Sequence, residues 1–333
     1  MKAFLAPIFI SVVALALVWF HAGTPAFMLV LILSVLELTL SFDNAVVNAS
    51  VLERMSVPWR RRFITWGIPF AVFGTRFLLP VIIVSIAVLL SPWEILRLAI
   101  TEPSSYGALL AGVRPVIGAF GGTFLLMVAL KYFFDDNKEV HWIKIVERHL
   151  VRWGRIEAIE IGIALSALVV LSLFASGSPV SILIAGIVGI ILFILMEGLT
   201  GALSSGARLG SQGISLFLYL NVLDAAFSLD GVVGAFALTT DVIVIVVGLG
   251  IGAYFVRAIT LYLVEHKTLH TLRYLEHGAH WAIFGLAVSL FAGLIIHVPE
   301  VVTGLVGLFF VLFAYLSSRR DAKTSQLTIP NGK

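Results

Sequence analysis

The stretch LELTLSFDNAVVNAS (36–50) decides how the chain is read: it places Glu37, Asp43, Asn44 and Asn48 inside a run that is otherwise almost wholly apolar. The 333 residues are 60% hydrophobic and only 12% charged, with a mean hydropathy of +1.06. That composition describes an all-α, polytopic membrane protein rather than a water-soluble domain. The first residues, MKAFLAPIFISVVALALVWF (1–20), have the form of a signal peptide but lack a small-residue cleavage site, so they read as a retained first span. With no cysteine, neither disulfides nor thiolate metal sites are available.

Runs of roughly 20 apolar residues predict about ten spans, near 4–20, 26–51, 67–90, 113–134, 157–175, 180–200, 214–236, 242–264, 280–297 and 300–316. Charge tests the count. If ten is right, eighteen of the 22 basic residues share one side with both termini: Lys2, Arg54, Arg60, Arg61, Arg62, Lys131, Lys138, Lys144, Arg148, Arg152, Arg155, Arg208, Lys267, Arg273, Arg319, Arg320, Lys323 and Lys333. The opposite side holds Arg97 and Arg114, and Arg76 and Arg257 fall inside spans. The positive-inside rule then puts both termini in the cytoplasm, in a cell (inner) membrane. Basic residues sorted by loop in this way, at a net charge of +3, are no nucleic-acid signature.

The opening motif recurs. Glu37-x-x-x-Ser41-x-Asp43-Asn44 is matched without a gap by Asp224-x-x-x-Ser228-x-Asp230-Gly231 in LDAAFSLDGVVGAF (223–236). Downstream, GIPFAVFGTR (67–76) and GLGIGAYFVR (248–257) each run from a glycine to one arginine, Arg76 and Arg257. The acidic helices are the second and seventh spans, an odd number apart, so they would cross in opposite directions and the halves would form a 5+5 inverted-topology repeat. Such repeats hold their shared site near the bilayer midplane. The expected organisation is a first repeat with spans one to four at 1–134, a polar cytoplasmic linker at 135–156, span five at 157–175, a second repeat at 176–318 and a cytoplasmic tail at 319–333. The linker, DDNKEVHWIKIVERHLVRWGR (135–155), reads as a solvated connector, with an amphipathic helix on the inner leaflet as the alternative.

Ser34, Glu37, Ser41, Asn44 and Asn48 follow at steps of 3 and 4, which puts them on one helix face; Asn221, Asp224, Ser228 and Gly231 repeat the stripe. Asp43 and Asp230 lie one position off it and would reach it by local unwinding. Ser and Asn in such a seam, here Ser41, Asn48, Asn221 and Ser228, serve equally well as interhelical glue. The carboxylates are different, because each mid-membrane Asp costs roughly 2.5–3.5 kcal/mol on insertion scales. Carboxylate, hydroxyl and amide oxygens without thiols suit a hard cation such as Mn²⁺, Mg²⁺ or Ca²⁺. Arg76 and Arg257 read as counter-charge to the acids, although an arginine can also serve an anionic substrate. Glu160 and Glu197, near span ends, either line an access path or are solvated at the membrane edge. Pro69 and Pro80 are expected to kink span three. The glycines of GLGIGAYF follow no strand and are packing residues rather than a nucleotide fingerprint.

In these motifs the sequence resembles the TerC family of integral membrane proteins, within the broader LysE-type transporter group. ELTLSFDNAVV (37–47) is similar to that family's acid, serine and Asp-Asn signature, and DAAFSLDGVV (224–233) to its counterpart. The resemblance implies export of Mn²⁺ or another divalent cation, with Glu37, Asp43, Asn44, Asp224 and Asp230 as ligands. Gly231 departs from it, standing where the second motif often has serine. The chain is thus expected to be no enzyme: a secondary transporter without a resident cofactor, whose partners are the bilayer and its divalent cargo. The alternative is a membrane-biogenesis or scaffold role of TerC-like type. An intramembrane aspartyl protease lacks support, since the Gly-x-Gly-Asp element is absent, and so is an ATP-binding loop.

Overall fold

The computed structural model describes residues 2–136, 138, 140–156, 158–205 and 209–327. Arg208 and Lys333 lie outside these, and the side chains of Lys2, Asp230 and Lys323 lie outside the described ones. The architecture is all-α, with no strand among the described residues. Its first half runs α1 (Lys2–Leu40), α2 (Phe42–Glu53), α3 (Val57–Pro69), a π-helical stretch (Phe70–Leu78), α4 (Leu79–Val88), α5 (Pro92–Thr101), α6 (Pro103–Gly112) and α7 (Arg114–Phe133). Then follow α8 (Lys144–Trp153), α9 (Ile159–Phe174), α10 (Pro179–Ser205), α11 (Leu209–Leu238), α12 (Val242–Glu265), α13 (Thr268–Thr271), α14 (Leu275–Ala292) and α15 (Glu300–Leu327).

Among the described residues, six helices are long and apolar enough to cross a bilayer: α1, α7, α10, α11, α12 and α15. A seventh is added if the segment Phe73–Val88 and α5, bent by 117° against each other, form one broken span. The chain is therefore a multi-pass helical membrane protein. By length and composition this count falls short of the ten expected spans. α9 has only 16 residues, and the first turns of α14 carry Glu276, His277 and His280. Residues 91–112, which fall between the third and fourth expected spans, form two further short helices whose Ile95, Ala99, Tyr106 and Leu110 are buried.

Two interruptions shape the early chain. Gly23 (φ +78°, ψ −177°) breaks α1 with a backbone conformation that is essentially confined to glycine. Ser41 (φ −106°, ψ 16°) separates α1 from α2, between Glu37 and Asp43. In the expected third span, α3 gives way to the π-helical stretch directly after Pro69. A proline cannot supply the regular i→i−4 bond, and such π segments often accompany functional sites.

Packing inverts the pattern of a soluble protein. Large apolar side chains such as Phe20 and Leu89, 83% and 90% exposed, cover the outside, whereas Glu37, Asp43, Arg76, Asp224 and Arg257 are buried. One apolar core joins α7 and α14 to α9 and α10 through Phe124, Leu168, Ile182 and Ile283; a second joins α1, α4, α5, α6 and α12 through Leu33, Val84, Ile95, Leu110 and Leu249.

α1 lies along α12, and small residues permit the approach. A Cβ on Gly248 would come 2.6 Å from the Leu33 Cβ. One on Gly252 would come 2.5 Å from the Glu37 Cβ and 2.8 Å from the Ser34 carbonyl oxygen. Neither neighbour is the free end of a flexible side chain, so Gly252→Ala forces the helices apart. The expected cost is about 1–3 kcal/mol, read as a lowered unfolding midpoint in detergent. Gly198→Ala, where a Cβ meets nothing within 4 Å, leaves the midpoint unchanged or raises it. Equal midpoints for the two variants would contradict this packing.

Candidate functional site

The polar residues of the two motifs meet where the end of α1 and the start of α2 pass α11, the π-helical stretch and α12. Glu37, in the last turn of α1, is ion-paired with Arg76 of the π-helical stretch. Its Oε1 also accepts a hydrogen bond from the Ser41 hydroxyl at 2.8 Å. In the second half, Asp224 of α11 lies 3.7 Å from the Arg257 guanidinium of α12. Each half thus sets one motif acid against one arginine. Arg76 also feels the charge of Asp224, and Arg257 feels Arg76, so the four groups act as one electrostatic cluster.

The halves make room for each other's charges. A Cβ on Gly67 would fall 2.4 Å from the Arg257 Nη1, and that guanidinium stacks 4.1 Å above the Phe63 ring. A Cβ on Gly231 would come 3.1 Å from the Glu37 Oε2. A serine at that position would crowd the carboxylate, so the glycine leaves Oε2 open. Asp43 sits in the first turn of α2, where the helix dipole favours a negative charge; its Oδ1 accepts the Asn44 amide at 3.0 Å.

A cavity of about 20 Å³ lies between these elements, lined by Glu37, Ser41, Asp43, Phe227, Gly231, Leu286 and Thr303 among others. That is room for one water-sized body. On the same helices, α2 and α11, the Asn44 Oδ1, Asn48 Oδ1, Asn221 Oδ1, Asp224 Oδ2 and Ser228 Oγ are buried without hydrogen-bond partners, as are the Nε and Nη2 of Arg257 on α12. Buried polar atoms left without hydrogen-bond partners in this way demand an explanation. Among the described residues, no three of His, Asp and Glu converge as a ready metal site. Asp230 lies on α11 with its side chain outside the described ones.

A second, far larger cavity of about 600 Å³ opens beside α2. Val47, Val51 and Arg54 line it, and the same helix stripe continues one turn deeper to Asn44. Glu160, Glu197, Asp135, Asp136 and Glu276 give its wall an acidic character, tempered by Arg54 and Lys131. Lys131 reaches Glu197 at 3.1 Å. Glu160 and Glu197 are therefore wall residues of this chamber.

Residues 42–325 match the family model described as "Protein of unknown function (DUF475)". The chain belongs to the DUF475 family. No curated protein and no solved structure matches it. The matched region takes in Asp43, Asn44, both arginines and the whole second motif, and Glu37 falls just before it.

In this DUF475 chain the linker is not a solvated connector, because α8 docks through a fully buried carboxylate. Glu147 meets Lys138 Nζ at 3.1 Å, His277 Nδ1 at 3.1 Å and Trp281 Nε1 at 3.1 Å. It also accepts the backbone N–H of Trp142 and Ile143 at 3.2 and 3.3 Å. A carboxylate only accepts, so the His277 Nδ1 carries the proton. Nothing in the sequence pattern signals this hub, since His277 and Trp281 lie more than a hundred residues downstream.

Burial alone would raise the Glu147 carboxyl, but the His277 hydrogen bond, the Lys138 charge and the Trp281 N–H together hold it well below the usual carboxylate range. Burial pushes the His277 ring down. A depressed carboxyl supports the fold above its ordinary pKa and loses that support only as pH falls through the depressed value. A depressed imidazole costs stability as soon as pH drops below its ordinary value of about 6.5, because only the unfolded chain takes the proton. Glu147→Ala should therefore destabilise the protein by on the order of 3 kcal/mol at neutral pH. His277→Gln should flatten the loss of unfolding midpoint between about pH 7 and 5. An unshifted Glu147→Ala midpoint would contradict the hub.

Proposed function

We propose that this chain is a secondary transporter that exports hard divalent cations, Mn²⁺ first among them, from the cytoplasm across the inner membrane. The observation that carries the reading is the small buried cavity lined by Glu37, Ser41 and Asp43 from the first motif and by Phe227 and Gly231 from the second. A cation in this cavity would be met by the carboxylate and hydroxyl oxygens that line it, and thiol ligands for softer metals do not exist in the chain. The resemblance of both motifs to the TerC family points the same way.

The ten-span, inverted-repeat arrangement belongs to this proposal. At 1.5 Å per residue α1 would be about 58 Å long if straight, nearly twice the bilayer core, so its break at Gly23 supports two spans. Counting the bent Phe73–Val88 and α5 segment, α9 and α14 as spans then brings the total to ten. Contacts between the halves are reciprocal: α1 and α2 pack on α12, while α11 packs on α3, the π-helical stretch and α4. α2 packs on α14, as α11 does on α7. The positive-inside distribution supports a cytoplasmic position for the large chamber and both termini.

In the mechanism, the chamber gathers cations along its acidic wall, and the α2 stripe conducts them past Asn48 and Asn44 to Asp43. Glu37 and Asp224 are neutralised by Arg76 and Arg257, so the acids remain tolerable in the apolar interior between transport events. An arriving cation draws Glu37 away from Arg76 and competes with any proton on Asp43, which couples metal movement to proton movement. Asp230 completes the ligand set from the second half.

A scaffold or biogenesis role is the second reading. It is favoured by the Arg-paired state of Glu37 and Asp224, which a purely structural ion-pair network would also produce. Proteoliposomes loaded with Mn²⁺ separate the two. Wild-type protein should release Mn²⁺, and Asp43→Asn and Asp230→Asn, at matched incorporation, should fall to the rate of protein-free liposomes. Release by the variants at the wild-type rate would remove the cation site; no release of Mn²⁺, Mg²⁺ or Ca²⁺ by wild type would favour the scaffold reading.

A further inference from the structure

α8 turns Glu147 inward and leaves its opposite face uncovered. On that face Ile145 is 82% and Trp153 54% exposed, interleaved with exposed Arg148 and Arg152 and followed by exposed Arg155. The helix's single carboxylate is the buried Glu147, so the outward face is both apolar and purely cationic.

The depth of α8 follows from its neighbour. The Trp142 ring packs on Phe313 of α15, with centroids 5.5 Å apart, and Phe313 is itself half exposed on the outside of an apolar helix. α15 meets its first basic residue at Arg319, six positions later, about 9 Å along the axis. Trp142 therefore sits below the level of the α15 charges, where acyl chains give way to headgroups and tryptophan is favoured. α8 starts two residues further on. At that level a water-facing Ile145 and Trp153 would be costly, whereas buried in the acyl boundary they are stabilising. Arginines beside them reach outward to phosphate, which they bind in bidentate fashion.

We infer that α8 lies in the bilayer interface on the chamber side and binds anionic phospholipid headgroups through Arg148, Arg152 and Arg155, with Ile145 and Trp153 immersed. The Glu147 hub fixes this lipid-reading helix to α14, whose Glu276 and His280 line the chamber. The inference rests on the membrane reading above, with residues 135–155 on the cytoplasmic side. Its test reads lipid contact rather than cation movement, so the two can fail separately.

The chain has no cysteine, so Ile145→Cys offers one site for a nitroxide label. The full-length labelled protein is reconstituted into phosphatidylcholine vesicles with and without phosphatidylglycerol, and collisions with oxygen and with a water-soluble nickel chelate are compared. An unchanged unfolding midpoint for Ile145→Cys confirms that the label does not disturb the fold. In phosphatidylglycerol bilayers the label should be reached by oxygen and shielded from nickel. Adding Arg148→Gln, Arg152→Gln and Arg155→Gln should raise nickel access several-fold, since each arginine near an anionic surface strengthens attraction about fivefold. Free nickel access in both bilayers would overturn the inference and leave the face to water or a protein partner. Equal shielding in pure phosphatidylcholine, unaffected by the arginine substitutions, would overturn the anionic-headgroup assignment.

Discussion

The structure depends on how two carboxylates are kept in an apolar interior. Glu37 and Asp224 are each answered by an arginine further along the same half of the chain, Arg76 and Arg257. Removing one member of such a pair strands the other as an uncompensated buried charge, at about 3–5 kcal/mol. A plain hydrophobic pair of similar volume would hold the helices at least as well. Packing alone thus does not account for charge at these positions, and the oxygens of Asn44, Asn48, Asn221 and Ser228 are buried there without hydrogen-bond partners.

Glycine is the second half of that solution. Gly67 gives the Arg257 guanidinium its space, and Gly252 and Gly231 do the same for Glu37. Each of these glycines stands in the opposite half from the charge it accommodates. The two halves are thus complementary at the level of single Cβ atoms, and the site belongs to their interface rather than to either half. Gly231, the one departure from the resembled motif, becomes intelligible as the open side of the Glu37 carboxylate.

Much of this was legible in the sequence, and the reasons are local. Long apolar runs mark α7, α10, α11, α12 and α15 because hydropathy over about 20 residues is a strong signal. Helical spacing put Glu37, Ser41, Asn44 and Asn48 on one face of a single helix; all four are buried, but the helix breaks at Ser41 between them, while the acid–arginine association followed from the recurrence of both motifs. α5 and α6 were not legible, since ten-residue helices carrying Glu94, Arg97 and several serines resemble a loop in any hydropathy window. The π-helical stretch was visible only as proline-induced irregularity. The docking of α8 was hidden most completely, because Glu147 finds His277 and Trp281 across 130 and 134 positions. A charged linker whose central acid is buried looks, in sequence, like a charged linker.

The central claim is that the Glu37–Asp43 cavity and its neighbouring oxygens bind a hard cation in exchange for protons or arginine contacts. Equilibrium binding to the purified full-length protein tests it most directly: free Mn²⁺ is followed by its paramagnetic resonance signal while proton release is recorded in weakly buffered solution. The account predicts saturable binding accompanied by proton release, with both lost in a Glu37→Gln/Asp43→Asn variant of unchanged helical content. Binding that survives in that variant, or wild-type protein that takes up no more Mn²⁺ than detergent alone, would contradict it.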